Sequence, residues 1–358
     1  MSNYYLSVVT QLKKLFYYSL SLKVNMYILK QLPEDFIVKE ISNVEIKDKG
    51  KYFYYKLKKT NRNTLDVVKE IAKQLNVKEK QVGFAGSKDK HAVTEQLISA
   101  PKKLDKINID KVSLEFLGYG NKPISLGDLE ENEFEIVVRH LENFSIDKIN
   151  LVENYFDEQR FSLHNVDIGR HLIKKEFEDA VKLIDDSRAN EHLKKRKNDF
   201  IGALKNLPIR LLRMYVNAYQ SYLWNETLAG HLRKKGKVLK EVEYSLGKIV
   251  FVSDAEKFVD LEIPLIGFGC ESLDNFKDII KKIMEKENLD YPDFVIKQIP
   301  ELSLEGDLRK AFVKINNLKI SKETNDDFNK DKKKLTVKFS LGKGSYATMV
   351  VRRMISLE

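Results

Sequence analysis

The sequence predicts an α+β protein, a sheet-forming chain interrupted by a mainly helical insertion. At 358 residues it exceeds what one ordinary core organises, so two domains, or one domain with a large insertion, are expected. Short strand-like segments fill the N-terminal part, amphipathic helical patterns dominate from residue 158, and strand character returns only near the C-terminus. A β segment, a helical segment and a β terminus, in that order, mark an insertion within a sheet-containing host.

The elements follow in turn. Residues 1–25 are interrupted by Lys13 and Lys14 and lack both the basic start and the apolar core of a signal peptide, and no run there is long enough to span a membrane. Leu6, Val9, Leu12, Phe16 and Leu20 fall at helical spacing. Met26 directly precedes the first strand-like segment, so residues 1–25 read as an extension outside the main fold, with an upstream start codon as one explanation. Strands are expected over 27–30, 35–38 and 52–57. A helix is expected over 63–77, where Asn63 can cap, Asp66 follows three residues later, and Leu65, Val68, Ile71 and Leu75 recur at helical spacing. Residues 82–85, 93–99 and 134–138 read as strands and 146–156 as a helix. Helices are expected at 177–184, 210–235 and 276–288, strands at 335–339 and 347–354, and an exposed loop over the Lys- and Asp-rich run 321–334. The expected division is thus an extension (1–25), a first host part (26–157), a helical insertion (158–312) and a second host part (313–358).

Lys and Arg number 63 against 53 Asp and Glu, a formal net charge of +10. That excess suits a polyanionic partner, because clustered cations release counterions from phosphates. A Lys-rich solvated surface accounts for it equally well. The single cysteine, Cys270, excludes an internal disulfide and a thiolate metal cluster, and it fits a reducing, cytoplasmic compartment. The six histidines show neither HxH nor HExxH spacing, and no GxxxxGK[ST] loop is present, so neither a metal nor a nucleotide cofactor is expected.

The most informative stretch is Gly83-Phe84-Ala85-Gly86-Ser87-Lys88-Asp89-Lys90-His91-Ala92-Val93-Thr94-Glu95-Gln96. Two glycines bracket a strand end, where glycine allows positive φ and close approach of another backbone. Asp89 then sits in a tight turn between two lysines, whose charge favours the ionised carboxylate. Such a group can act as nucleophile or base on an anionic RNA. On residue types alone, a polar turn of solvated charges is the commoner outcome.

This stretch closely resembles the catalytic motif of the TruD pseudouridine synthases, G-x-x-G-x-K-D-x-x-A-x-T-x-Q, matched by Gly83, Gly86, Lys88, Asp89, Ala92, Thr94 and Gln96. Other segments follow in the family's order. Pro33-Glu34-Asp35-Phe36-Ile37-Val38-Lys39-Glu40, preceded by Lys30, is similar to P-E-D-F-x-V-x-E, and Asn63-Thr64 to an N-T pair entering a helix. Asn132-Glu133-Phe134 resembles N-x-F on a strand ending in Arg139, and Gln159-Arg160-Phe161 resembles Q-R-F. Residues 218–225 are similar to A-x-Q-S-x-L-(F/W)-N, and Gly344-Ser345-Tyr346-Ala347-Thr348 with Arg352 to G-S-(Y/F)-A-T-x-x-x-R. There are departures. Asp157 and Ser162 replace glycines flanking Q-R-F, Gly342 replaces a proline, and Arg353 replaces an acidic residue, which alters a salt bridge or an RNA contact.

The resemblance implies a pseudouridine synthase catalytic domain with a mixed or antiparallel sheet, interrupted by a helical TruD-specific insertion. It implies a cofactor-independent isomerisation of uridine in tRNA, usually at position 13, with the anticodon uridine of tRNA(Tyr) as a second candidate. Asp89 would be the essential aspartate, attacking C1′ or removing a ribose proton, with Lys30 as its basic partner. Phe134 would stack on a flipped uracil, Asn132 would orient Asp89 or the base, and Phe36 and Tyr346 would wall the pocket. Lys88 is counted with the substrate contacts, and Arg160 would bind a phosphate or brace the domain junction. For Lys30 the alternative is a surface lysine, and for Phe134, Phe36 and Tyr346 it is a place in the core. His91 is discounted, since the motif does not require it. The runs 194–197 and 233–235 suit a tRNA backbone or a solvated helix surface alike. A non-catalytic RNA-binding protein is the chief rival. A nuclease would need paired carboxylates or a His pair, and neither spacing is evident.

Overall fold

The computed structural model describes residues 27–104, 107–162, 164–270 and 274–357. The expected extension over 1–25 lies outside them. The described residues form two compact units, one of residues 27–150, 314–347 and 354–357, the other of 151–313 with 348–353.

The first unit is built on a nine-stranded sheet: β1 (Phe36–Ile41), β2 (Tyr52–Thr60), β3 (Gly83–Phe84), β4 (Val93–Ala100), β5 (Val112–Gly120), β6 (Glu131–Leu141), β7 (Asn316–Ile320), β8 (Thr324–Asn325) and β9 (Lys333–Gly342). The spatial order is β7-β9-β6-β1-β4-β2-β5, with β8 added to β9 and β3 to β4. The sheet is mixed. β1 runs parallel to β4 and antiparallel to β6, and the remaining pairs are antiparallel.

Register decides which side chains share a face, because strand side chains alternate. Val38 pairs with Phe134 and Thr94, Phe134 with Phe339, and Thr94 with Lys59. Phe36, Phe134, Phe339, Thr94 and Lys59 therefore point to one side. Helix α1 (Thr64–Leu75) packs on that side too, its Val67, Val68, Ile71, Ala72 and Leu75 meeting Tyr55, Leu57, Ile98 and Ala100. Asn63 Oδ1 accepts from the Leu65 amide at 2.8 Å, and Asn76 closes the helix at φ 51°. Each buried aliphatic side chain on this face contributes about 1.5–3 kcal/mol.

The second unit centres on the helix Ile209–Lys235. The motif over 218–225 is buried there. Trp224 Nε1 donates to the Ile263 carbonyl at 3.1 Å, Gln220 Nε2 to that of Ile266 at 3.0 Å, and Asn225 exchanges two hydrogen bonds with the Phe156 main chain at 3.0 and 2.9 Å. These polar side chains satisfy main-chain groups of the strand Glu262–Leu265 and of the irregular segments beside the helix.

Several expectations need correction. Residues 27–30 are not a strand: Ile28 alone bridges Arg139, and Lys30 is left-handed at φ 58°. Residues 146–156 are not helical. They supply strand ends at Phe144–Ile146 and Leu151–Glu153, because partners far along the chain, at 355–357 and 312–314, override the local period. Conversely 347–354 is a helix whose Met349, Val350, Val351 and Met354 are buried, so burial outweighs the strand preference of its valines. The mainly helical segment also contains the hairpin Val238–Tyr244 with Gly247–Val252 and the pair Glu262–Leu265 with Asp307–Lys310. Within 321–334, Asp326 is buried, because its carboxylate meets the Arg139 guanidinium at 3.0 Å.

Candidate active site

The approach to β1 is set by an arginine. Ile28 and Arg139 exchange main-chain hydrogen bonds at 2.9 and 3.0 Å, and Arg139 Nε lies 2.9 Å from both oxygens of the buried Asp35. Hydrogen bonding to Asp35 raises the Arg139 pKa further, so the guanidinium stays charged. Asp35 also accepts from the Leu32 amide at 2.8 Å. The short turn so fixed carries Lys30 in its left-handed conformation. Lys30 Nζ stands 2.8 Å from Asp89 Oδ2 and 4.0 Å from the centroid of the Phe36 ring. The two charged side chains are 22% and 25% exposed, accessible but partly withdrawn from water. An ammonium so placed favours the ionised carboxylate.

Asp89 sits on a loop held from below by buried polar groups. Gly83 enters it: a Cβ there would lie 2.2 Å from the Ile124 carbonyl oxygen, so only glycine fits. Gly86 has no such close neighbour, with only a Leu129 methyl at 3.8 Å. Gln96 Nε2 donates to the Gly86 carbonyl at 2.9 Å, and Thr64 Oγ1 accepts from the Lys88 amide at 3.0 Å. Lys59 Nζ donates to the carbonyls of Asp89 at 2.8 Å and Lys88 at 3.4 Å. Burial pushes the Lys59 pKa down to about 8, with Asp89 opposing the fall and Lys88 adding to it.

Lys88 has a different place from the one expected. Its ammonium lies 2.6 Å from Glu40 Oε2, with the two side chains 7% and 0% exposed. Asp89 therefore faces the accessible side while its neighbour Lys88 turns inward. The aromatic residues continue from Phe36: its ring meets Phe134 edge-on at 6.1 Å, and Phe134 tilts against Phe339 at 5.6 Å. Phe36 and Phe134 are 2% and 7% exposed, so Phe134 presents an edge and Phe36 is core under the Lys30 cation.

Asn132 pairs with Glu40 and Leu341 in the sheet, on the same face as Phe134, and its buried Oδ1 finds no hydrogen-bond partner among the described residues. Tyr346 is half-buried, following a turn in which Gly344 has φ 80°. His91 and Lys90 are exposed. Arg160 belongs to the second unit, where its Nε donates to Ser221 Oγ at 3.2 Å and its guanidinium lies 5.7 Å from the Phe156 ring centroid. Arg353, the departure from the acidic residue, donates to the Val252 carbonyl at 3.1 Å and stands 3.7 Å from the buried Glu153, making a salt bridge within that unit. Among the described residues no group of three His, Cys, Asp or Glu side chains could hold a metal ion.

Sequence reasoning missed Glu40, Lys59, Thr64 and Gln96 as parts of this site. Glu40, Thr64 and Gln96 lie inside the matched segments, which was a usable signal. Lys59 reads as one more lysine in a basic strand.

An α+β chain with a lysine-paired carboxylate on a glycine-entered loop, beside an aromatic sheet face, is the arrangement expected of the pseudouridine synthase class. The family described as tRNA pseudouridine synthase D (TruD) matches residues 14–191 and 185–354. The tRNA pseudouridine synthase D of Aquifex aeolicus is 33% identical, with 91% of this chain and 97% of that protein covered. A Methanococcus maripaludis protein described as a probable tRNA pseudouridine synthase D 1 is 31% identical, with 92% and 99% covered. The crystal structure of the Methanosarcina mazei TruD protein superposes with a TM-score of 0.65 at 27% identity, covering 91% of this chain and 92% of that one. The chain belongs to the TruD family of tRNA pseudouridine synthases.

Proposed function

We propose that this enzyme isomerises uridine 13 of tRNA, with the anticodon uridine of tRNA(Tyr) as a second site to be mapped, and that Asp89 is its catalytic carboxylate. The observation that carries the reading is the 2.8 Å contact between Lys30 Nζ and Asp89 Oδ2, made across 59 residues of chain. It supports a carboxylate held ionised where a substrate can reach it.

Pseudouridylation breaks the N1–C1′ bond, turns the uracil, forms C5–C1′, moves the C5 proton to solvent and returns one to N1. No electron is gained or lost. Asp89 serves either by attacking C1′ or by taking a ribose proton, and both routes need it ionised. The target must leave its stack to reach such a group. Phe134 then stacks on the extruded base, with Asn132 on the same sheet face orienting the base or Asp89. Lys30 holds Asp89 rather than the substrate, and Tyr346, half-buried after the turn at Gly344, and Arg160, in the second unit, are the further substrate contacts we propose. The net charge of +10 suits tRNA as the substrate, and a cytoplasmic enzyme is the reading that goes with that substrate. Among the described residues no helix is long and apolar enough to cross a membrane.

The test is Asp89→Asn. It should abolish pseudouridine in tRNA transcripts, mapped by position, while the Kd for tRNA stays near wild type. Normal turnover by that variant removes Asp89 from the mechanism. No pseudouridine from the wild-type protein, despite binding, would favour a non-catalytic RNA-binding role.

A further inference from the structure

Lys59 is fully buried, which lysine tolerates only with strong partners. Burial lowers its pKa to about 8, so keeping an ammonium there is costly near neutrality. Its placement is nonetheless specific. Strand alternation on β2 puts Lys59 on the same face as Leu57 and Tyr55, but one step beyond the end of the α1 contact and directly beneath the Lys88-Asp89 turn. A hydrophobic residue would serve a core better.

We propose that Lys59 is a positioning residue for Asp89, its ammonium tying the carbonyl oxygens of residues 88 and 89 to β2 while adding a second positive charge behind the carboxylate. This rests on the role proposed for Asp89. The carbonyl of residue 89 is two bonds from the Cα that carries the reacting side chain, so fixing it fixes where that side chain emerges. The charges interact in both directions. Asp89 resists the fall in the Lys59 pKa, so charged Lys59 favours ionised Asp89 by the same coupling. Asp89 thus faces Lys30 from the segment before β1 and Lys59 from β2. Lys88, in its own loop, is neutralised by Glu40 of β1, and Lys90 and His91 are exposed beside it. Lys30 answers to substrate-side changes because it is accessible. Lys59 is fully buried and held by two main-chain carbonyls.

The experiment compares full-length wild type, Lys59→Met and Lys59→Gln on a tRNA transcript, measuring kcat, tRNA Kd and the pH profile of kcat/KM. Lys59→Met should lose about 100-fold in kcat through misplacement of the turn. Lys59→Gln keeps a donor without the charge and should lose about tenfold. Both should bind tRNA like wild type, and in both the acid limb should move up by about half a pH unit or more. A folded Lys59→Met variant with kcat within about threefold of wild type and an unmoved acid limb overturns the proposal. So does a parallel loss of binding and turnover with that limb unmoved, which is what a merely structural role gives. If Lys59→Met does not fold, Lys59→Gln decides by the same criteria. A wild-type protein that makes no pseudouridine would instead sink the reading of Asp89.

Discussion

Replacing Lys88 with methionine tests whether the lysine beside Asp89 faces RNA or the protein interior. The structure buries its ammonium 2.6 Å from Glu40, both side chains nearly without exposure. Removing one partner of such a pair strands the other charge, a loss of about 3–5 kcal/mol. Glu40 would keep only the Leu97 amide, at 3.2 Å. Lys88→Met should therefore destabilise the first unit by about 3 kcal/mol, whereas Glu40→Leu with Lys88→Met, leaving no charge, should cost under about 1 kcal/mol. The sole tryptophan, Trp224, lies in the second unit, so its fluorescence reports the wrong place. Urea unfolding followed by circular dichroism, with hydrogen exchange at the Leu97 amide, reads the right one. The same variant should leave the salt dependence of tRNA binding unchanged. A phosphate-contacting lysine would lower the slope of log K against log salt by about 1. A stable Lys88→Met variant with a reduced slope would refute the buried placement and return Lys88 to the substrate contacts.

Two further outcomes follow from the same geometry. Lys30→Met should lower kcat by about 100-fold with little change in tRNA Kd, because it removes the cation 2.8 Å from Asp89; an unaltered kcat in pseudouridine assays would show that the contact is incidental. Burial raises the Glu153 carboxyl from 4.5 to about 7 against the pull of Arg353. A raised carboxyl binds its proton more tightly folded than unfolded, so its contribution to stability is complete below about pH 4.5 and is lost as pH rises through 7. Glu153→Gln should then stabilise the second unit at pH 8 by on the order of 2–3 kcal/mol and have little effect at pH 4. Equal effects at both pH values, read by Trp224 fluorescence during urea unfolding, would rule the titration out.

Much of this protein was legible without its fold. Asp89 was singled out by a motif that resembles the TruD catalytic segment, whereas its residue types alone favoured a solvated polar turn. Helix α1 and the long helix Ile209–Lys235 were legible because caps and helical spacing are carried by neighbours in the chain. What only tertiary structure decided were the partnerships. Lys30 reaches Asp89 because Arg139 and Asp35, 104 residues apart, bend the chain that carries it. Lys59 and Lys88, two more basic residues in a basic sequence, turned out to be interior, because β1 and β2 bring Glu40 and the underside of the loop to them. Residues 347–354 became a helix against their strand-like composition because burial of Val350 and Val351 outweighed propensity. Local patterns depend on energies of tenths of a kcal/mol per residue between near neighbours. Which charge is buried against which depends on desolvation and Coulomb terms many times larger, and those exist only once distant strands have met.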